Sequence, residues 1–330
     1  MNKNIGSFLG KRLGRLLLLL AATMLITFFL MELSPIDPVT AYVGTSTKVS
    51  AEQRALIAEK WGLNQSPLVR FWTWFSNMIR GDWGTSIIYR RPVMEVIGQK
   101  FLASVALMSV AWILSGVLGF VLGIIAGIKE DKFWDKIIRG YCHILISTPT
   151  FWLGIVCLII FSVKLGWFPV GLSVNIGEIS EHVALGDKIL HMILPVFTLA
   201  MVSVANICMY TREKTVEIMN SDFVLFAIAR GESTKSIIKN HLLRNISLPA
   251  ITLQFLSFSE LFGGAIFVEQ VFAYPGLGQA TVLAGLRGDV QLLLGITIIS
   301  LIFVFVGNTI ADALYYSIDP RIREGGTINE

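Results

Sequence analysis

Charge is the scarcest commodity here. Only 15% of the residues are Asp, Glu, Lys or Arg, against about a quarter in an ordinary soluble domain. With 54% hydrophobic residues, the chain has a membrane composition. The small basic excess, +4 at neutral pH, flanks apolar runs instead of forming one stripe, which argues against nucleic acid as a partner. Cysteine is nearly absent: Cys142, Cys157 and Cys208 all lie inside apolar runs and make no C-x-x-C spacing, so a disulfide framework is not expected. His143 and His191 beside Cys142 and Cys208 form no metal-ligand pattern, and structural histidines are the expectation. No G-x-x-x-x-G-K-[ST] loop is present to cradle phosphates, and no H-E-x-x-H or nucleophile–base arrangement lies in the apolar runs, so neither ATP hydrolysis nor intramembrane catalysis is expected of this chain.

What is present is length without charge. Apolar runs of spanning length recur at about 10–33, 101–128, 140–164, 189–211, 247–272 and 290–316. The expected fold class is therefore all-α, an integral membrane protein of about six transmembrane helices. The first run follows Lys11, Arg12 and Arg15 and is closed by no A-x-A-type site, so it reads as a retained anchor helix.

Six crossings place both termini on one side, and the positive-inside rule chooses that side. Lys3, Lys11, Arg12, Arg15, then Lys129, Lys132, Lys136, Arg139, then Arg212, Lys214, Arg230, Lys235, Lys239, Arg244 and finally Arg321 and Arg323 fall together if both ends are cytoplasmic. The two short outer loops then hold only Lys164, Lys188 and Arg287. The long outer stretch 34–99 is basic too, but loops of that length translocate regardless of charge. Within it, 51–62 has helical character. The tryptophan-rich segment from Arg70 to Gly84 reads as a helix along the outer interface.

Ser115, Gly119, Gly123 and Gly127 recur every four residues in the second run, a small-residue row that suits close helix packing within the chain or at a subunit interface. Glu260, Glu269 and Asp312 are ionisable groups inside apolar runs and hence candidates for a pathway or gate; for Glu269, pairing at a helix end is the blander alternative.

The inner loop Asn220 to Pro249 is far too long for a turn. Ser221 or Asp222 can cap a short helix on which Phe223, Phe226 and Ala227 share a face, Gly231 suits its C-terminal stop, and Ser233 can cap a second helix running toward Arg244. Such an apolar hairpin at the cytoplasmic surface fits either a groove on another protein or the lipid headgroups.

FAIARG at Phe226–Gly231 followed by NISLP at Asn245–Pro249 resembles the EAA loop of binding-protein-dependent ABC importer permeases. GAIFVEQVFAYPGLG at Gly264–Gly278 is similar to the signature of the dipeptide/oligopeptide/nickel branch of that family. STPTFWLG at Ser147–Gly154, LGWFPVG at Leu165–Gly171 and DPRIR at Asp319–Arg323 extend the likeness over nearly the whole chain.

The resemblance implies a type I importer fold in a bacterial cytoplasmic (inner) membrane. It divides the chain into residues 1–98 (first helix and outer loop), a permease domain over 99–318 with its coupling loop at 220–249, and a cytoplasmic tail at 319–330. It assigns ATPase coupling to Asp222, Phe223, Phe226, Ala227, Ala229, Gly231 and Pro249, and an outer-gate signature to Glu269, Phe272, Pro275, Gly276 and Gly278. Implied partners are a second homologous permease, one or two ABC ATPase subunits that carry ATP and Mg, an external substrate-binding protein and the lipid bilayer; this chain itself binds no cofactor or metal. Peptides are the first expectation for substrate, with nickel or a metallophore as the alternative. A self-sufficient secondary transporter would instead show paired repeats or broken helices at matching positions, and none is visible in the letters.

Overall fold

The structure, a computed structural model, describes residues 2–43, 49–171 and 185–318, and every regular element among them is helical. In chain order these are α1 (Asn2–Glu32), α2 (Pro38–Val43), α3 (Ala51–Lys60), α4 (Pro67–Ile79), α5 (Val93–Ile128), α6 (Phe133–Ser147), α7 (Thr150–Cys157), α8 (Leu185–Met219), α9 (Asp222–Ala229), α10 (Thr234–Ile237), α11 (Leu243–Leu256), α12 (Phe258–Val271), α13 (Leu277–Arg287) and α14 (Val290–Ile318). Helix α7 runs on into a π-helical turn, Leu158–Lys164, and another, Ile238–Leu242, joins α10 to α11. The DPRIR segment and the tail 319–330 lie outside the described residues.

Among the described residues, four helices are long and apolar enough to cross a membrane: Arg12–Glu32 within α1, α5, α8 and Val290–Ala313 within α14. Two further apolar runs are bent pairs, which raises the number to six if each pair is one span. The sequence pointed to single crossings at 140–164 and 247–272, and there the structure differs.

The first pair, α6 with α7 and its π turn, bends by 108°. Pro149 sits at the break, where its missing N–H and its ring force Thr148 into extended backbone (φ −98°, ψ 124°). The second pair, α10 through α11 and then α12, bends by 49° at Ser257. Its cause is a competition for one carbonyl. Gln254 O accepts from Trp112 Nε1 at 2.8 Å and from Ser257 Oγ at 2.9 Å, which draws it out of the helical ladder. Gln254 Nε2 answers by donating to Trp112 O at 2.6 Å, so the break is pinned to α5. Broken helices, unexpected from the sequence, thus occur twice.

The chain forms two compact units, residues 1–104 with 275–305, and 105–274 with 306–330. In the first, α4 turns Phe71 and Trp74 inward against Met24 and Phe28 of α1 and Leu294 and Ile298 of α14, while Trp72 remains exposed. A second cluster packs Val93, Val96 and Ile97 of α5 on Leu277, Ala280 and Ala284 of α13 and on Leu292 and Ile296 of α14. The expected helix in the outer loop is α3, opened by a reciprocal capping box between Ser50 and Gln53.

In the second unit the small-residue row is a packing seam of this chain. A Cβ built on Gly119 would meet Ile207 Cβ at 2.8 Å, one on Gly123 would meet Cys208 O and Thr211 Cβ at 2.6 Å, and one on Gly127 would meet Thr215 Cβ at 2.4 Å. Helices α5 and α8 therefore touch backbone to backbone along this row.

Candidate functional site

The inner loop folds as the hairpin its letters suggest. Asp222 lies in the first turn of α9, where a negative charge suits the helix dipole, although Ser221 spends its hydroxyl on Ile218 O at 2.5 Å instead of capping. At the other end Gly231 takes φ +83°, its N–H reaches Ile228 O at 2.9 Å, and Glu232 N–H reaches Ala227 O at 3.1 Å. That pair of bonds is a Schellman stop, which needs a left-handed residue and hence favours glycine. Ser233 caps α10 by accepting from Ser236 N–H at 3.3 Å.

One expectation is corrected. Phe223, Phe226 and Ala227 do not share an environment: Ala227 is 3% exposed, packed with Val224, Ile237, Ile218 and Met219, whereas Phe223 and Phe226 are 46% and 65% exposed. Helix α9 is anchored by its two small buried positions, and its bulky apolar residues Phe223, Leu225, Phe226 and Ile228 point away from the protein. Ala229 is exposed with them. The returning strand of the hairpin is tied by polar contacts: Ser236 Oγ donates to Glu232 Oε2 at 3.0 Å, Asn240 Nδ2 donates to Ser236 Oγ at 3.1 Å, and His241 Nε2 faces Glu232 Oε2 at 3.4 Å. Pro249 lies inside α11. The second helix therefore runs past Arg244 to Leu256.

A buried ion pair at the base of this region carried no signal in the sequence reading beyond loop charge. Asp135, fully buried in the first turn of α6, accepts from Arg212 Nε at 3.0 Å and Arg212 Nη2 at 2.8 Å, and from Asp131 N–H at 2.9 Å. Arg139 Nε lies 3.4 Å from the same carboxylate. Arg212 is on α8, the helix that leads directly into α9, so this fork fixes the stem of the hairpin to the α5–α6 turn.

The second signature divides between the two units. In one, Glu269 and Phe272 are buried at 1% exposure each, Ala273 adopts φ +48°, and Tyr274 N–H closes on Glu269 O at 2.9 Å. In the other, Pro275 and Gly276 lead into α13, where Gly278 is buried and Leu277 N–H donates to Ser104 Oγ at 2.8 Å. Of the other intramembrane acids, Glu260 and Asp312 are exposed. Cys142, Cys157 and Cys208 are free and buried, and no group of three or more metal-ligating side chains occurs among the described residues. His191 is buried and its Nδ1–H donates to Asp187 O at 2.7 Å, while His143 is exposed.

Also unforeseen is an outer polar junction. Asp289, fully buried ahead of α14, accepts from Ser86 Oγ at 2.6 Å, Ile88 N–H at 3.2 Å and Leu292 N–H at 3.1 Å. Burial pushes its carboxyl above the usual range, and the hydroxyl and backbone donors pull it part of the way back. An Asp directly before a long apolar run was the signal available for it.

Comparison with known proteins accords with this architecture. Residues 119–324 match the family described as binding-protein-dependent transport system inner membrane component, and residues 5–108 match the N-terminal part of the membrane component of such systems. The chain is 35% identical to the oligopeptide transport system permease protein AppB of Bacillus subtilis, over 92% of this chain and 95% of that one. It is 33% identical to the glutathione transport system permease protein GsiC of Salmonella choleraesuis, over 95% and 97% respectively. A putative peptide transport system permease protein of Brucella abortus is 31% identical over 95% of this chain and 98% of its own length. Among solved structures, an inward-facing form of the MetNI methionine ABC transporter aligns with a TM-score of 0.57 at 14% identity, covering 68% of this chain and 97% of that one, which supports the fold alone. The chain belongs to the inner-membrane permease family of binding-protein-dependent ABC importers, in its dipeptide/oligopeptide/nickel branch.

Proposed function

We propose that this permease forms half of a translocation pore for di- and oligopeptides and receives its power stroke through the hairpin α9–Gly231–α10, which seats in a cleft of an ATPase subunit. The observation that carries this reading is the outward presentation of Phe223, Leu225, Phe226 and Ile228 on a helix whose only core is Val224, Ala227 and Ile237. Four half-exposed bulky apolar side chains on eight residues each forgo roughly 1 kcal/mol relative to full burial. A protein groove recovers that free energy. It also fixes the direction of the stroke, because the rigid Schellman stop and the Asp135–Arg212 fork make hairpin and α8 stem move together.

On this reading Asp222, Phe223, Phe226, Ala227, Ala229, Gly231 and Pro249 serve coupling, the first five through α9 itself, Gly231 through the turn and Pro249 through the return helix. Glu269, Phe272, Pro275, Gly276 and Gly278 shape the outer gate. ATP and Mg belong to the ATPase partners, a second permease completes the pore, and an external binding protein delivers peptide. The test is uptake and ATP hydrolysis by the complex reconstituted with its binding protein, for wild type and Gly231→Asp. Assembly with loss of both transport and substrate-stimulated hydrolysis is expected. Solute movement by the purified chain alone, without ATP, would overturn the reading.

A further inference from the structure

The exposed face of α12 is unlike the lipid-facing helices. Glu260, Gly263, Phe267 and Gln270 are its exposed positions, spaced alternately three and four apart and so aligned on one side. Glu260 sits at the middle of the apolar run 247–272, and it has no hydrogen bond or ion pair among the described residues. A Cβ built on Gly263, the next turn along, would meet nothing within 4 Å. Beside Glu260, Ser259 Oγ donates to Asn308 Oδ1 at 2.6 Å, and this pair is exposed as well. A carboxylate and a hydroxyl at the middle of the 247–272 run on α12 therefore open beside an amide in the C-terminal third of the α14 span.

Lipid is excluded as their neighbour, because a carboxylate at the bilayer centre costs several kcal/mol. Water is the environment that such a mixed strip suits, and the charge that a lone carboxylate selects is positive. We propose that Glu260 lines the translocation path and receives the cationic group of the substrate, which in a peptide is the terminal ammonium. This rests on the peptide-permease reading above and adds to it a residue that discriminates by charge. Ser259 and Asn308 extend the strip as neutral hydrogen-bonding groups for the peptide backbone.

Two measurements on the whole complex test it. First, Glu260→Cys is treated with ammonium-bearing and sulfonate-bearing methanethiosulfonates, with the native chain, whose three thiols are buried, as control. Labelling that transported peptide slows is expected; absence of labelling in every nucleotide state overturns the proposal. Second, uptake of matched peptides with a free or an acetylated amino terminus is compared between wild type and Glu260→Gln. The ratio of free to acetylated uptake is expected to fall about tenfold, the worth of one charge-assisted hydrogen bond. An unchanged ratio, or a variant that fails to assemble with the second permease, overturns it, the latter in favour of a subunit contact. If wild type shows no ATP-driven peptide uptake at all, it is the permease reading that fails, while the labelling result still reports whether the strip is wet.

Discussion

The α9–α10 hairpin and the outer junction around Asp289 are built from similar materials to opposite ends. Each is a short, turn-bounded structure fixed to the end of a long helix. At the outer junction the bonding capacity is turned inward: one buried carboxylate collects a hydroxyl and backbone N–H groups from Ser86, Ile88 and Leu292, and Thr85 N–H reaches Gln291 Oε1 at 3.0 Å. In the hairpin the backbone is equally well satisfied, but the large side chains face away and the core is three residues. The first is finished as it stands, whereas the second is stable in shape and incomplete in surface. That difference separates a part that holds the chain together from one whose apolar face is left open.

Removing the centre of the outer junction should produce the largest stability change. Asp289→Ala orphans buried donors that each cost roughly 1–3 kcal/mol, and also removes the cap of α14. A loss of about 3 kcal/mol or more is expected in thermal or denaturant unfolding of the purified complex, with the ATPase subunits still bound to the molecules that remain folded. An equal loss of ATPase binding would break the contrast.

The reverse signature is expected at Phe226. Because it is 65% exposed, Phe226→Ser should change folding stability by less than about 0.5 kcal/mol. As an aromatic anchor in a partner's groove it should weaken ATPase association by about 2 kcal/mol, near thirtyfold. Co-purification at graded ATPase concentration measures this. Unaltered association would mean that the face rests on headgroups instead.

Gly231→Ala lies between the two. The built Cβ meets nothing within 4 Å, so its cost is conformational: φ +83° asks an L residue for roughly 1–2 kcal/mol, and Gly231→Asn should cost less. Hydrogen exchange at Glu232 N–H, which closes the turn, should speed up in that order.

The same contrast governs what could be read without coordinates. The helix begun at Ala51, the cap at Ser233 and the Gly231 stop are local in sequence, and each sits where its letters place it. The α5–α8 seam was legible as a row of small residues, though not its partners. What the letters hid is long-range. The 49° bend depends on Trp112 reaching Gln254, 142 residues away, and Asp135 is joined to Arg212 across 77. Both involve residues that look unremarkable alone. The burial of Ala227 apart from Phe223 and Phe226 was missed for a related reason. An i, i+3, i+4 pattern marks a face, but it does not say whether that face meets the same chain or another.

The smallest effect is expected at Asp37, which makes the outer comparison sharper by being its exposed counterpart. Its carboxylate caps α2, accepting from Thr40 Oγ1 at 2.5 Å and from Val39 N–H and Thr40 N–H at 3.1 Å each. The Thr40 hydroxyl first, with these backbone donors, holds its pKa below the usual carboxylate value against slight burial. A lowered folded-state pKa contributes stability that is fully present above the unfolded value near 3.9 and lost as pH falls through the folded value. Asp37→Ala should cost about 1 kcal/mol or less above that window and nothing below it. Asp289 carries the opposite sign: a raised carboxyl contributes stability below the unfolded value that is lost as pH rises. Exchange at the Val39 and Thr40 amides followed from pH 6 to 3 should therefore show protection lost on acidification in wild type and no such slope in Asp37→Ala. A slope that survives the substitution would assign the acid sensitivity of this loop to another carboxylate.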